Sequence, residues 1–85
     1  MAVPKVILLD EPSLGLSPLL VGVIFASLTQ LKQQGLTILL VEQNVPLSLR
    51  IAEKGYVLEN GRIVLTGSGK SLLDNGQVKA FYLGI

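Results

Sequence analysis

The sequence predicts an α/β fold, with parallel strands joined by crossover helices and followed by a β-hairpin. Three observations predict it. Two short apolar runs, residues 6–9 and 36–41, each stop at acidic or amide residues: Asp10-Glu11 and Glu42-Gln43-Asn44. Between them, apolar residues recur three and four apart over a length suited to a helical crossover. Beyond them, Asn60-Gly61 separates two further strand-like runs. Short continuous apolar runs read as strands buried on both faces, as in parallel sheets. Asn-Gly is the favoured turn of a two-residue hairpin.

Each element has a local reason. Val6-Ile7-Leu8-Leu9 is the first strand, stopped by Asp10-Glu11-Pro12. Residues 13–17 contain Gly15 and form a loop. Ser17-Pro18 starts a helix, because a Ser hydroxyl caps and proline suits the first helical position. Leu20, Val23, Ile24, Leu28 and Leu31 supply its apolar stripe, expected to pack on the sheet as ordinary core. Gly35 ends it with a left-handed cap. Residues 36–41 form the second strand, which pairs with the first in parallel through a right-handed crossover. A second helix is expected over 46–54 with Asn44 as its cap. Residues 56–59 and 62–65 form the hairpin arms. Two short helical pieces follow over 70–83, on either side of Asn75-Gly76. Two or three parallel strands with a helix on one side make an incomplete sheet, so the chain is expected to be part of a larger α/β domain.

Composition narrows the function. The chain has 85 residues, of which 49% are hydrophobic and 15% charged. Average domains have about 25% charged residues, so this one is charge-poor. That argues against disorder and suggests apolar surface meant to be covered. A chain of this length buries little more than about 60% of its unfolded surface, a marginal amount. A net charge of +1 without a basic run excludes a phosphate-neutralising patch, and with it nucleic-acid binding. No cysteine or histidine is present, which removes disulfides, cysteine zinc sites and histidine-based triads. The longest apolar stretch, residues 19–26, is far short of the roughly 18 residues that span a bilayer.

Chemistry in open α/β sheets sits at the carboxyl ends of the strands. Asp10 and Glu11 stand there. If strand alternation continues through both, they point to opposite sides and serve different roles. One can hold Mg2+ and the other can face the attacking water of a phosphoryl transfer, since an apolar run followed by Asp-Glu is the Walker B pattern.

Residues 6–18, Val-Ile-Leu-Leu-Asp-Glu-Pro-Ser-Leu-Gly-Leu-Ser-Pro, resemble the Walker B and D-loop segment of ABC transporter ATPases. Residues 37–44, Thr-Ile-Leu-Leu-Val-Glu-Gln-Asn, resemble the strand and switch loop that follow in that family. The hairpin sequence Tyr-Val-Leu-Glu-Asn-Gly, then Arg-Ile-Val-Leu-Thr-Gly, is similar to the family's late hairpin. The Ser-Leu-Gly-Leu-Ser-Pro loop, the Val-Glu-Gln-Asn switch and the ending Val-Lys-Ala-Phe-Tyr-Leu-Gly resemble the ATP-binding subunits of branched-chain amino-acid importers.

The resemblance implies a partial P-loop NTPase (ABC ATPase) domain that binds ATP and Mg2+. Asp10 serves the metal, and Glu11 is the general base that polarises water. Gln43 occupies the switch position near the γ-phosphate. Ser13, Leu14, Gly15, Leu16 and Ser17 form the D-loop, which meets a second ATPase subunit across an ATP-sandwich dimer. Leu14 and Leu16, apolar at a loop tip, contact that partner or the rest of the domain. Transmembrane permease subunits are the other partners, with the chain on the cytoplasmic face of the cell membrane. Two residues depart from the family pattern: Gln43 replaces the usual His, and Ser17 replaces the usual Asp. Gln43 can orient water or contact phosphate but carries no imidazolium charge, so hydrolysis leans more on Glu11.

Thr66-Gly67-Ser68-Gly69-Lys70-Ser71 mimics a phosphate loop. The full motif places Gly five residues before the Gly-Lys pair, and that position is Val64. The segment also follows a hairpin strand, so an exposed turn leading into a short helix is expected. Residues 1–85 contain no complete Walker A, Q-loop or Ser-Gly-Gly-Gln signature. They correspond to the C-terminal part of the ATPase domain, and the isolated chain is expected to be inactive. Two alternatives are a non-catalytic interaction piece and, less favoured, a small P-loop kinase using Gly67 to Ser71.

Overall fold

The computed structural model describes residues 6–83. Gly84, the last residue of the quoted C-terminal motif, lies outside them. Two compact units divide at Gln43/Asn44.

In the first unit, β1 (Val6–Asp10) is followed by α1 (Pro18–Gln33) and β2 (Thr37–Val41). β1 and β2 pair in parallel, in the direct register Val6↔Thr37 to Asp10↔Val41. Ser17 caps α1 by accepting from the Leu20 amide at 3.4 Å, with Pro18 in the first turn as expected. Gly35 follows Gln34 at φ +94, where a side chain would be strained.

Burial within this sheet is one-sided. Ile7, Leu9, Ile38 and Leu40 are half-buried. On the opposite face Val6, Leu8, Leu39 and Val41 are 50–66% exposed. The expectation of strands buried on both faces is therefore met on one face only, because the described part of this unit has a single helix to cover a sheet.

The stripe of α1 is also rotated from the expected one. Phe25 and Leu28 are buried, whereas Leu20 and Val23 are about half exposed. Apolar residues occur on several sides of this helix, so spacing alone does not select the packed face.

In the second unit, α2 (Val45–Ile51) leads to a hairpin of β3 (Lys54–Glu59) and β4 (Arg62–Ser68), then α3 (Gly69–Asp74) and α4 (Gly76–Leu83). Asn44 caps α2, accepting from the Leu47 amide at 3.4 Å. The helix ends earlier than the expected residue 54, because Lys54 already pairs with Ser68. Asn60 and Gly61 both take positive φ, 52° and 76°, as the predicted turn requires. Register slips near Val57/Leu58, leaving Val64 as the extra residue of a bulge. Leu49, Leu72 and Val78 form the core, with Val45, Val57, Leu65, Leu73 and Tyr82 packed against it.

The mimic of a phosphate loop is resolved here. Thr66, Gly67 and Ser68 finish β4, and Gly69, Lys70 and Ser71 open α3. The stretch is thus strand and helix rather than an exposed turn. Gly69 is buried against backbone: a Cβ there would lie 2.1 Å from the Ala52 carbonyl oxygen and 2.5 Å from that of Leu49. Its amide donates to the Glu53 carbonyl at 3.2 Å. Close packing accounts for this glycine without any phosphate.

Candidate functional site

The carboxyl ends of β1 and β2 lie side by side, and Asp10, Glu11, Ser13, Glu42 and Gln43 occupy the two chain exits there. Asp10 is the last residue of β1 and is exposed. It stands opposite Val41, the last residue of β2, and Glu42 and Gln43 follow directly. Neighbouring strands run about 4.8 Å apart, so the two chain exits leave one small region together.

Glu11 is the first residue off the strand. Its backbone has φ +47, a left-handed conformation rare outside glycine. Two hydrogen bonds hold it. Its amide donates to the Val41 carbonyl at 2.7 Å, and its carbonyl accepts from the Leu14 amide at 3.1 Å. The strand alternation expected to separate Asp10 from Glu11 therefore stops at Asp10. Glu11 is set by a turn, with Pro12 next in the chain. Held, uncommon backbone of this kind costs on the order of 1–3 kcal/mol and clusters at functional sites.

The loop residues divide. Ser13 is half-buried and turned toward the end of β2. Its amide donates to Glu42 Oε1 at 3.2 Å, and its hydroxyl lies 2.7 Å from Oε1 and 2.8 Å from Oε2. Leu14, Gly15, Leu16 and Ser17 are exposed, Leu14 at 70%. Gly15 takes φ +77, and the Leu16 amide closes a second turn on the Ser13 carbonyl at 3.1 Å.

Asp10, Glu11 and Gln43 are thus brought to one strand-end region, while Gly67 to Ser71 belong to the second unit. Sequence reasoning passed over Glu42 as a mere strand terminator and assigned Ser13 only to the loop. The available signal was positional. In a parallel pair, the residue after one strand faces the loop after the other, and a hydroxyl and a carboxylate stood at those places.

Among the described residues, no group of three or more acidic, histidine or cysteine side chains is arranged to hold a metal. Mg2+ commonly needs only one or two protein carboxylates, with phosphates and water completing its octahedron. An exposed Asp10 at a strand tip fits that mode. No helix among the described residues is long and apolar enough to cross a membrane.

Comparison with known proteins agrees with the family resemblance. The chain is 51% identical over 84 residues to a high-affinity branched-chain amino acid transport ATP-binding protein, BraG, of Pseudomonas aeruginosa, covering 99% of this chain and 36% of that one. It is 40% identical over 82 residues to a probable branched-chain amino acid transport ATP-binding protein, LivF, of Archaeoglobus fulgidus, covering 95% and 35%. It is also 40% identical over 81 residues to the lipopolysaccharide export system ATP-binding protein LptB of Haemophilus influenzae, covering 95% and 34%. Among solved structures, the ADP conformation of MJ1267, an ATP-binding cassette of an ABC transporter, superposes with a TM-score of 0.73 at 34% identity, covering 96% of this chain and 34% of that one. No protein-family model matches. The chain spans about a third of the length of the relatives it matches. Parallel strand pair, strand-end carboxylates, late hairpin and sequence identity together place the chain with the ATP-binding proteins of ABC transporters.

Proposed function

We propose that residues 1–85 are the C-terminal part of an ABC ATPase nucleotide-binding domain whose complete form hydrolyses ATP to drive import of branched-chain amino acids. The observation that carries this reading is the meeting of Asp10-Glu11 with Gln43 at the adjoining ends of a parallel strand pair. The import assignment follows the 51% identity to the Pseudomonas protein, against 40% for the lipopolysaccharide exporter component.

In this reading each residue has one task. The Asp10 carboxylate holds Mg2+ at the strand tip. Mg2+, when bound, neutralises charge on the phosphate oxygens. Glu11, held off the strand by its two backbone hydrogen bonds, accepts a proton from the attacking water. Gln43 offers an uncharged amide to that water or to the γ-phosphate. Ser13, Leu14, Gly15, Leu16 and Ser17 form the D-loop toward a second ATPase subunit. Leu14 and Leu16 supply the apolar contact there, while the Ser13 hydroxyl is engaged within its own unit. Permease subunits complete the transporter at the membrane surface.

The test is a chimera in which this chain replaces the matching third of the Pseudomonas relative. The chimera is expected to hydrolyse ATP, and Glu11→Gln to lower kcat at least about 100-fold, as loss of a general base does. An unchanged kcat in Glu11→Gln would remove Glu11 from the reaction. The 85-residue chain alone is expected to show no ATPase activity, for want of the backbone amides that cradle phosphates.

A further inference from the structure

We infer that Ser13 and Glu42 form a latch that positions the switch residue Gln43 against Glu11. Its role in catalysis rests on the ATPase reading above, whereas its existence does not.

The two residues are 29 positions apart and belong to different loops. Ser13 presents two donors, its amide and its hydroxyl, and Glu42 receives both. The single hydroxyl proton is shared between the carboxylate oxygens at 2.7 and 2.8 Å. Hydrogen bonds to an ionised carboxylate are shorter and about twice as strong as neutral ones. Both residues are half-buried, so water competes less for them.

The latch closes a chain of restraints. The Glu11 amide is fixed to the Val41 carbonyl, and its carbonyl to the Leu14 amide. Ser13 lies inside that turn. Ser13 grips Glu42, and Gln43 is the next residue. Glu11 and Gln43 lie on separate loops but are thereby tied through Ser13. The same contact gives Glu42 a task distinct from its acidic neighbours. With Ser13 held between its two oxygens, it serves as an acceptor that aligns the loops rather than as a second base. Ser13 and Glu42 are accordingly positioning residues.

Nuclear magnetic resonance on the 85-residue chain, without nucleotide, tests the latch directly. Glu42→Gln replaces the charged acceptor with a neutral one and weakens its pull on the Ser13 amide, so that amide proton is expected to shift upfield in the variant. An unchanged Ser13 amide shift in Glu42→Gln overturns the latch. Positioning is read from the backbone order of Gln43. Ser13→Ala is expected to lower the Gln43 order parameter from the rigid range near about 0.85 to below about 0.6, and Ser13→Thr, which keeps the hydroxyl, to restore it. Unchanged order in Ser13→Ala, or Ser13→Thr behaving like Ser13→Ala, overturns the positioning role. An inactive chimera with an intact latch would instead count against the ATPase reading alone.

Discussion

The two units of this chain put chemistry and stability in different places. The first, up to Gln43, carries the strand-end carboxylates, the uncommon backbone at Glu11 and the Ser13–Glu42 contact, yet leaves one face of its sheet bare. The second, from Asn44, carries a closed core of Leu49, Leu72 and Val78 and a glycine locked between carbonyls. An open groove in this unit, lined by Glu59, Val64, Leu65, Gln77, Ala80 and Phe81, contains a single titratable side chain. A site that must receive water and phosphate needs exposed strand ends. A closed hairpin-and-helix core needs none, and Asn44 and Ser68 there serve as helix caps and Asn60 as a turn residue.

Truncating a leucine in each unit gives the largest expected contrast. Leu72 is 3% exposed, and Leu72→Ala is expected to cost about 3–4 kcal/mol through lost burial and the cavity left behind. Leu8 is 66% exposed, and Leu8→Ala is expected to change stability by no more than about 0.5 kcal/mol. Both tyrosines, Tyr56 and Tyr82, lie in the second unit and the chain has no tryptophan. Tyrosine emission during urea unfolding therefore follows that unit, and exchange of the Glu11 amide follows the first. A Leu8→Ala cost equal to that of Leu72→Ala would show the bare face to be covered after all.

Glycine replacement sharpens the same contrast at smaller scale. Gly69→Ala drives a methyl into two backbone oxygens that cannot rotate away. A loss of about 2–3 kcal/mol is expected, the upper part of the overpacking range. Gly35→Ala meets nothing within 4 Å and suffers only its left-handed backbone, expected at about 1 kcal/mol. Near-equal losses would mean that conformation, not packing, fixes Gly69. The pair also tests the origin of the Gly-Lys-Ser sequence, since a glycine kept for phosphate has no reason to be sealed under Ala52.

The residues that sequence alone placed correctly share one property: their preference is local. Ser17-Pro18, Gly35, Asn44 and Asn60-Gly61 act on their own backbone, and the elements begin or end where those residues say. The Asp10-Glu11 motif was legible because a strand end is also a local event. What failed to show depends on partners distant in the chain. The face that α1 buries is decided by the sheet beneath it, so Phe25 displaced Leu20 and Val23. The end of α2 is set by Lys54 pairing with Ser68, fourteen positions on. The fate of residues 66–71 depends on Ala52 and Leu49. The Ser13–Glu42 contact joins two loops that only parallel pairing makes neighbours.

The smallest contrast concerns helix starts. Ser68 and Ser17 cap α3 and α1 with the same chemistry, but the acceptor distances differ. Ser68 Oγ lies 3.0 Å from the Ser71 amide, and Ser17 Oγ lies 3.4 Å from that of Leu20. A serine cap contributes typically about 1 kcal/mol, and amide bonds weaken beyond about 3.2 Å. Ser68→Ala is thus expected to cost about 1 kcal/mol, seen in tyrosine emission. Ser17→Ala is expected to cost about half that, seen as faster amide exchange in the first turns of α1. Equal losses would show that the Ser17 cap tightens in solution, and the first unit would then be better ordered at its loop than its longer hydrogen bond implies.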